Sequence, residues 1–206
     1  MGLEVIMSYY SEEYISSGDS IDYSALPEGD FGWPVPTNFN VAYLFGNTPA
    51  YGSNHLGIDI WPGSGSEKTD IVAARAGKVT YVQDIGAPDN GDLGLCGDSG
   101  WNSYGNIVEI DHGDGYKTRY AHLSTRTIAS NIKIGAEVQA GQYLGKMGSS
   151  GCSTGTHLHY EIIFDKVRID PLSQYMVEPL NYNVPYASRN NSAITMPEPY
   201  RFKFDI

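Results

Sequence analysis

The chain has 206 residues, 41% hydrophobic and 18% charged, a composition that excludes a wholly disordered polymer and leaves room for one domain with tails. Lys and Arg number 13 against 24 Asp and Glu, a formal charge of −11, which repels a phosphate backbone and argues against nucleic acid as a partner. No apolar run approaches the roughly 18 to 20 residues that span a bilayer, so no transmembrane segment is expected.

Residues 1–30 are rich in Ser, Tyr, Asp and Glu without helical or alternating periodicity and read as a tail or linker. Met1 to Tyr10 carries Glu4 where a secretory signal has Lys or Arg, and it lacks a continuous apolar stretch, so it does not read as a signal peptide. From residue 31 to about 175, short runs rich in Val, Ile, Tyr and Thr alternate with Gly-containing turns, which predicts an all-β domain. The clearest strands are Ile71 to Ala74, Lys78 to Val82, Asn106 to Ile110, Tyr116 to Tyr120 and His157 to Ile163. Asp111 to Gly115 contains Asp-Gly and reads as a hairpin connection. The longer stretch from Asp84 to Gly105 reads as an excursion from the sheet, either a groove wall or a surface insertion. Residues 176–206 are punctuated by Pro and Asn and read as an irregular extension. The two cysteines, Cys96 and Cys152, lack metal or redox spacing, and whether they form a bridge stays open.

Of five histidines, four fall in three patterned segments: His55 near Asp59, His122 after Tyr120-Ala121, and the pair His157 and His159. Side chains alternate along a strand, so His157, His159 and Glu161 share a polar face opposite Leu158, Tyr160 and Ile162. Their spacing of about 6.5 to 7 Å suits a metal ligand beside a catalytic base. His55 and Asp59 would stand about 13 Å apart on an extended strand, so the chain must bend between them, and Gly57 is placed to supply the bend. Two His and one Asp suit zinc and leave a fourth position open for water. Cys152, five residues before His157, is not needed in that set.

The segments His55-x-x-x-Asp59, Tyr120-Ala121-His122-Leu123-Ser124 and Gly155-x-His157-Leu158-His159 resemble the lysostaphin/LytM-type zinc endopeptidases, in the family's order. Gly77-Lys78-Val79, Gly105-Asn106-Ile107-Val108, His112-Gly113, Val138-x-x-Gly141-Gln142 and Asp170-Pro171 extend the resemblance over residues 31–175. It implies an antiparallel β-sheet, sandwich-like peptidase domain with one Zn²⁺ per chain held by His55, Asp59 and His159. His122 and His157 are then the catalytic histidines, with their acid and base roles unordered, and His112 is structural. The implied substrate is the peptide of bacterial peptidoglycan, which places the protein outside the cell or in its envelope. Tyr51, Asn54 and Tyr104 are candidates for substrate contact. The Cys in Gly148-Ser149-Ser150-Gly151-Cys152 departs from the family's usual loop. Two other readings stand beside the enzyme: a silent domain of the same fold that binds wall or activates a partner hydrolase, and a component of a phage or secretion machine carrying this domain.

Overall fold

A computed structural model describes residues 31–36, 39–46, 55–62, 69–86, 89–96, 101–173, 176–177 and 182–183. The strands are β1 (Phe31–Gly32), β2 (Phe39–Tyr43), β3 (Ile58–Pro62), β4 (Asp70–Val72), β5 (Gly77–Gln83), β6 (Asn106–Gly113), β7 (Tyr116–Leu123), β8 (Glu137–Val138), β9 (Tyr143–Lys146), β10 (Leu158–Phe164), β11 (Val167–Ile169), β12 (Met176–Val177) and β13 (Tyr182–Asn183). Nine form one sheet in the order β13-β2-β3-β10-β7-β6-β5-β8, with β11 paired to β10; β4 with β9 and β1 with β12 make two small ribbons. All pairings in the large sheet are antiparallel except β13 with β2. The all-β, antiparallel architecture expected from the sequence is therefore the observed one. The excursion leaves the sheet between β5 and β6 and forms two 3-10 turns, Leu93–Leu95 and Trp101–Tyr104.

Alternation explains the layers. Ile58, Ile60, Tyr120, Leu158, Tyr160 and Ile162 are buried on one face of the sheet, and their cluster continues into Ile71, Leu144, Met147 and Trp33 from the smaller ribbons and loops. Each fully buried aliphatic side chain contributes about 1.5 to 3 kcal/mol. On the opposite face, His159 and Glu161 project from β10. Every residue of β10 before Phe164 is buried, because both faces are covered.

The β6–β7 hairpin forms as expected, with both strands running further: the turn tightens to Asp114 and Gly115, whose φ values of 45° and 90° give the left-handed pair of a two-residue turn. Asp165 and Lys166, with φ of 46° and 71°, turn β10 into β11 in the same way. The Ile71 to Ala74 strand is shorter than expected. β4 ends at Val72, and Ala74 N–H instead donates to the Tyr120 hydroxyl at 2.8 Å. The expected N-terminal tail lies outside the described residues. Of the C-terminal extension, only the dipeptides of β12 and β13 are described, set beside β1 and β2.

Candidate metal centre

Register brings the centre together. β10 lies between β3 and β7, and His159 is the direct neighbour of Asp59 on one side and Ala121 on the other. His55 precedes β3, with the bend at Gly57 between it and Asp59. Gly57 is not among the glycines with positive φ, so the bend does not depend on the left-handed backbone region. A Cβ there would collide with the Tyr160 carbonyl of β10, and only glycine lets the bend pass this close.

The three side chains converge on one point. His55 Nε2 stands 3.1 Å from Asp59 Oδ1 and 3.1 Å from His159 Nδ1, and His159 Nδ1 stands 2.9 Å from Asp59 Oδ1. A tetrahedral zinc with bonds of about 2.0 to 2.2 Å has ligand–ligand edges of about 3.3 Å, so the triangle fits that ion. The chemistry of the donors fits too. His55 Nδ1–H donates to the Leu44 carbonyl at 3.0 Å, so in the neutral ring Nε2 turns a lone pair toward the other two atoms. Without a cation this arrangement attracts protons. Burial disfavours a charged His159, yet hydrogen bonds with Asp59 and Glu161 lift its pKa to about 9. Burial also raises the Asp59 carboxyl, but the histidines around it, His159 first and then His55, outweigh that and hold it well below the usual carboxylate range. Among the described residues, His55, Asp59 and His159 form a group able to hold a metal ion.

His122 and His157 stand beside this triangle, their rings 4.7 Å apart, with His122 5.9 Å from the His159 ring. Both are anchored through Nδ1–H: His122 donates to the Ser150 carbonyl at 2.7 Å, and His157 to the Gly155 carbonyl at 2.8 Å. His157 Nε2 points inward, 3.8 Å from Asp59 Oδ1. Burial, reinforced by His157 and His159, pushes His122 well below its ordinary pKa, and burial lowers His157 despite the nearby Asp59. Each is a neutral imidazole at pH 7 with Nε2 left to accept a proton.

Strict alternation along β7 would turn His122 toward the core, because Ala121 already shares the face of His159. Its φ of 60° reverses the alternation, bringing His122 to the site and Leu123 into the core. The loop from Gly148 to His157 supplies both anchoring carbonyls, and a Cys96–Cys152 disulfide ties it to the excursion. That bridge removes Cys152 from any ligand set.

These features coincide with a known family. The model of Peptidase family M23 matches residues 53–171. The chain belongs to that family. The M23 assignment agrees with the lysostaphin/LytM-type resemblance of its motifs. The murein hydrolase activator NlpD of Salmonella dublin is 34% identical over 140 residues, covering 68% of this chain and 30% of that protein. The peptidoglycan DD-endopeptidase ShyC of Vibrio cholerae is 38% identical over 94 residues, covering 44% of this chain and 21% of that one. A zinc-containing peptidase from Vibrio cholerae superposes with a TM-score of 0.53 at 26% identity, over 68% of this chain and 39% of its own. The chain thus spans less than half the length of each of these M23 relatives.

Of the other site candidates, Tyr51 and Asn54 lie outside the described residues. Tyr104 is at the site, its ring 5.9 Å from that of His159 and its hydroxyl donating to Glu161 at 2.7 Å. His112 sits apart in the β6–β7 hairpin, donating from Nδ1 to the Ala76 carbonyl at 2.9 Å and facing Thr118 from Nε2 at 2.8 Å. Burial pushes its pKa down to about 4. Sequence reasoning missed Arg119, which reaches Glu161 beneath the centre. It missed the Ser150 and Gly155 carbonyls as well, since a backbone acceptor leaves no trace in residue type.

Proposed function

We propose that this M23 domain is a zinc-dependent endopeptidase that hydrolyses peptide bonds of bacterial peptidoglycan, working in the cell envelope or outside the cell. The observation that carries the reading is the complete constellation: three convergent ligand atoms beside two backbone-anchored histidines. His55, Asp59 and His159 would hold one Zn²⁺. When bound, zinc polarises a peptide carbonyl and lowers the pKa of a water toward about 7. His122 and His157 do the proton work. One accepts the proton of the attacking water at Nε2, and the single imidazolium so formed stabilises developing oxyanion charge and passes that same proton to the leaving amine, returning both rings to the neutral state. The Ser150 and Gly155 carbonyls keep both rings oriented through that exchange by accepting from Nδ1–H in either protonation state.

Similarity to a protein named a murein hydrolase activator supports a second reading, a domain that binds wall and activates a partner hydrolase. One experiment separates the two: zinc content, and mass spectrometry of purified peptidoglycans after digestion, for the parent, His159→Ala and His122→Ala. The enzyme reading expects about one zinc and new peptide ends from the parent. His159→Ala should lose the metal, whereas His122→Ala should keep it and lose about 10² to 10⁴ in rate. A zinc-loaded parent that releases no new ends from any wall overturns the peptidase in favour of the activator.

A further inference from the structure

Beneath the centre lies a row of buried charge that the proposed chemistry does not use. Glu161 of β10, Arg119 of β7 and Glu109 of β6 are direct cross-strand neighbours on the site face of the sheet. Arg119 donates from Nη1 to Glu161 Oε2 and from Nη2 to Glu109 Oε2, each at 2.8 Å. Glu161 is fully buried, and its oxygens are saturated. Oε1 accepts from the Tyr104 hydroxyl at 2.7 Å and faces His159 Nε2 at 3.2 Å, while Oε2 accepts from Arg119 and, at 3.3 Å, from Arg168 Nε. The excursion closes the row from above. The Arg119 guanidinium lies 4.5 Å from the Trp101 ring centre and 4.9 Å from that of Tyr104, with Trp101 stacked on Tyr81 at 4.2 Å.

We propose that Glu161 is a positioning residue that locks His159 in the ligand-competent tautomer, with Arg119 and Tyr104 holding its carboxylate in place. The inference rests on His159 being a metal ligand, as proposed above. An ionised carboxylate accepts hydrogen bonds and cannot donate them. With Arg119, Arg168 and Tyr104 all donating to it, Glu161 has no proton to give, so the hydrogen between it and His159 belongs to Nε2. The lone pair of the neutral ring is then on Nδ1, the atom that faces Asp59 and His55. The other tautomer would put a hydrogen where a metal must sit. Orientation follows as well, since a ring held at Nε2 by an immobile carboxylate cannot rotate Nδ1 away. The covering aromatic rings keep water from competing for the Glu161 oxygens. Two of the excursion's aromatic residues thereby serve the centre without touching a ligand through a polar atom.

Glu161→Gln tests this with almost no change of shape. A Gln oxygen turned toward the arginines leaves its NH₂ facing His159 Nε2, which then demands the wrong tautomer; turned the other way, it sets NH₂ against two arginines. The measurements are the zinc dissociation constant by competition with a chromophoric chelator and the ring nitrogen shifts of His159 in the zinc-loaded protein. Glu161→Gln should weaken zinc binding about 10- to 100-fold and remove the hydrogen-bonded Nε2–H signature. Tyr104→Phe, which deletes one oxygen from a partly exposed side chain, should weaken binding in the same direction by a smaller factor and decides the matter if Glu161→Gln does not fold. Thr80→Val, which removes a hydroxyl that donates to Glu109 at the far end of the row, should bind zinc as the parent does. Parent-like zinc affinity and ring shifts in both Glu161→Gln and Tyr104→Phe would overturn the inference alone, as would equal weakening by Thr80→Val. A parent that binds no zinc would overturn the proposed function, and this inference with it.

Discussion

Gly57 has no side-chain chemistry, yet it stands between two residues of the candidate ligand set, where the chain entering β3 passes tight against β10. A Cβ there meets the Tyr160 carbonyl and the Glu161 side chain, so Gly57→Ala must push the strands apart where Asp59 pairs with His159. Overpacking of this kind costs about 1 to 3 kcal/mol. Because the displacement falls on the triangle itself, we expect zinc affinity to drop at least tenfold, out of proportion to the change in urea midpoint. Parent-like zinc titration of a folded Gly57→Ala protein would contradict this account. The need for a bend here is legible in the sequence, because two ligands four residues apart cannot converge on a straight strand. The reason for glycine is not, because the obstructing carbonyl is about a hundred positions away and arrives through register. The same division holds across the site. His55, His122, His157 and His159 stand out because rare side chains recur in short local patterns, whereas Arg119 acquires its partners, Glu109 and Glu161, only when β6, β7 and β10 align.

At the scale of elements, β6, β7 and β10 are readable because each runs seven or eight residues and carries β-branched or aromatic residues between turn residues. β1, β8 and β9 are two to four residues long, too short for a pattern to register, whereas β4, expected as Ile71 to Ala74, is legible in part. The excursion is legible as a departure from the sheet, but its attachment is not. It is held by the Cys96–Cys152 bridge, by Cys152 N–H donating to the Ser103 carbonyl at 2.9 Å, and by Asp92 N–H donating to the Gly151 carbonyl at 2.7 Å. The bridge closes a separation of 56 residues, for which loss of unfolded-state entropy amounts to about 4 kcal/mol. It also tethers the loop whose carbonyls orient His122 and His157. Reduction should therefore lower the thermal midpoint and, at temperatures where the reduced protein is still folded, slow peptide hydrolysis while leaving bound zinc in place, since His55, Asp59 and His159 lie outside that loop. Thermal melts, zinc content and digestion assays with and without reductant check this, and equal activity of folded reduced and oxidised protein would refute the coupling.

For the whole molecule, the charge of −11 sets the terms on which the proposed wall hydrolase would meet its substrate. Cell walls rich in anionic polymer repel such a protein at long range, so on the proposed function attraction must come from short-range contacts around the centre. Repulsion and fit differ in their response to salt. The Debye length falls from about 30 Å at 0.01 M to about 8 Å at 0.15 M, which screens a diffuse charge but leaves short-range contacts, a few ångströms long, largely intact. Sedimentation with intact sacculi should therefore show binding that rises with salt over this range, opposite to the behaviour of a basic wall-binding protein. Walls chemically stripped of their anionic polymers supply the control: binding there should be stronger at low salt and nearly flat as salt is added. Binding to intact walls that falls with salt would mean that a local cationic patch, rather than the net charge, governs the encounter.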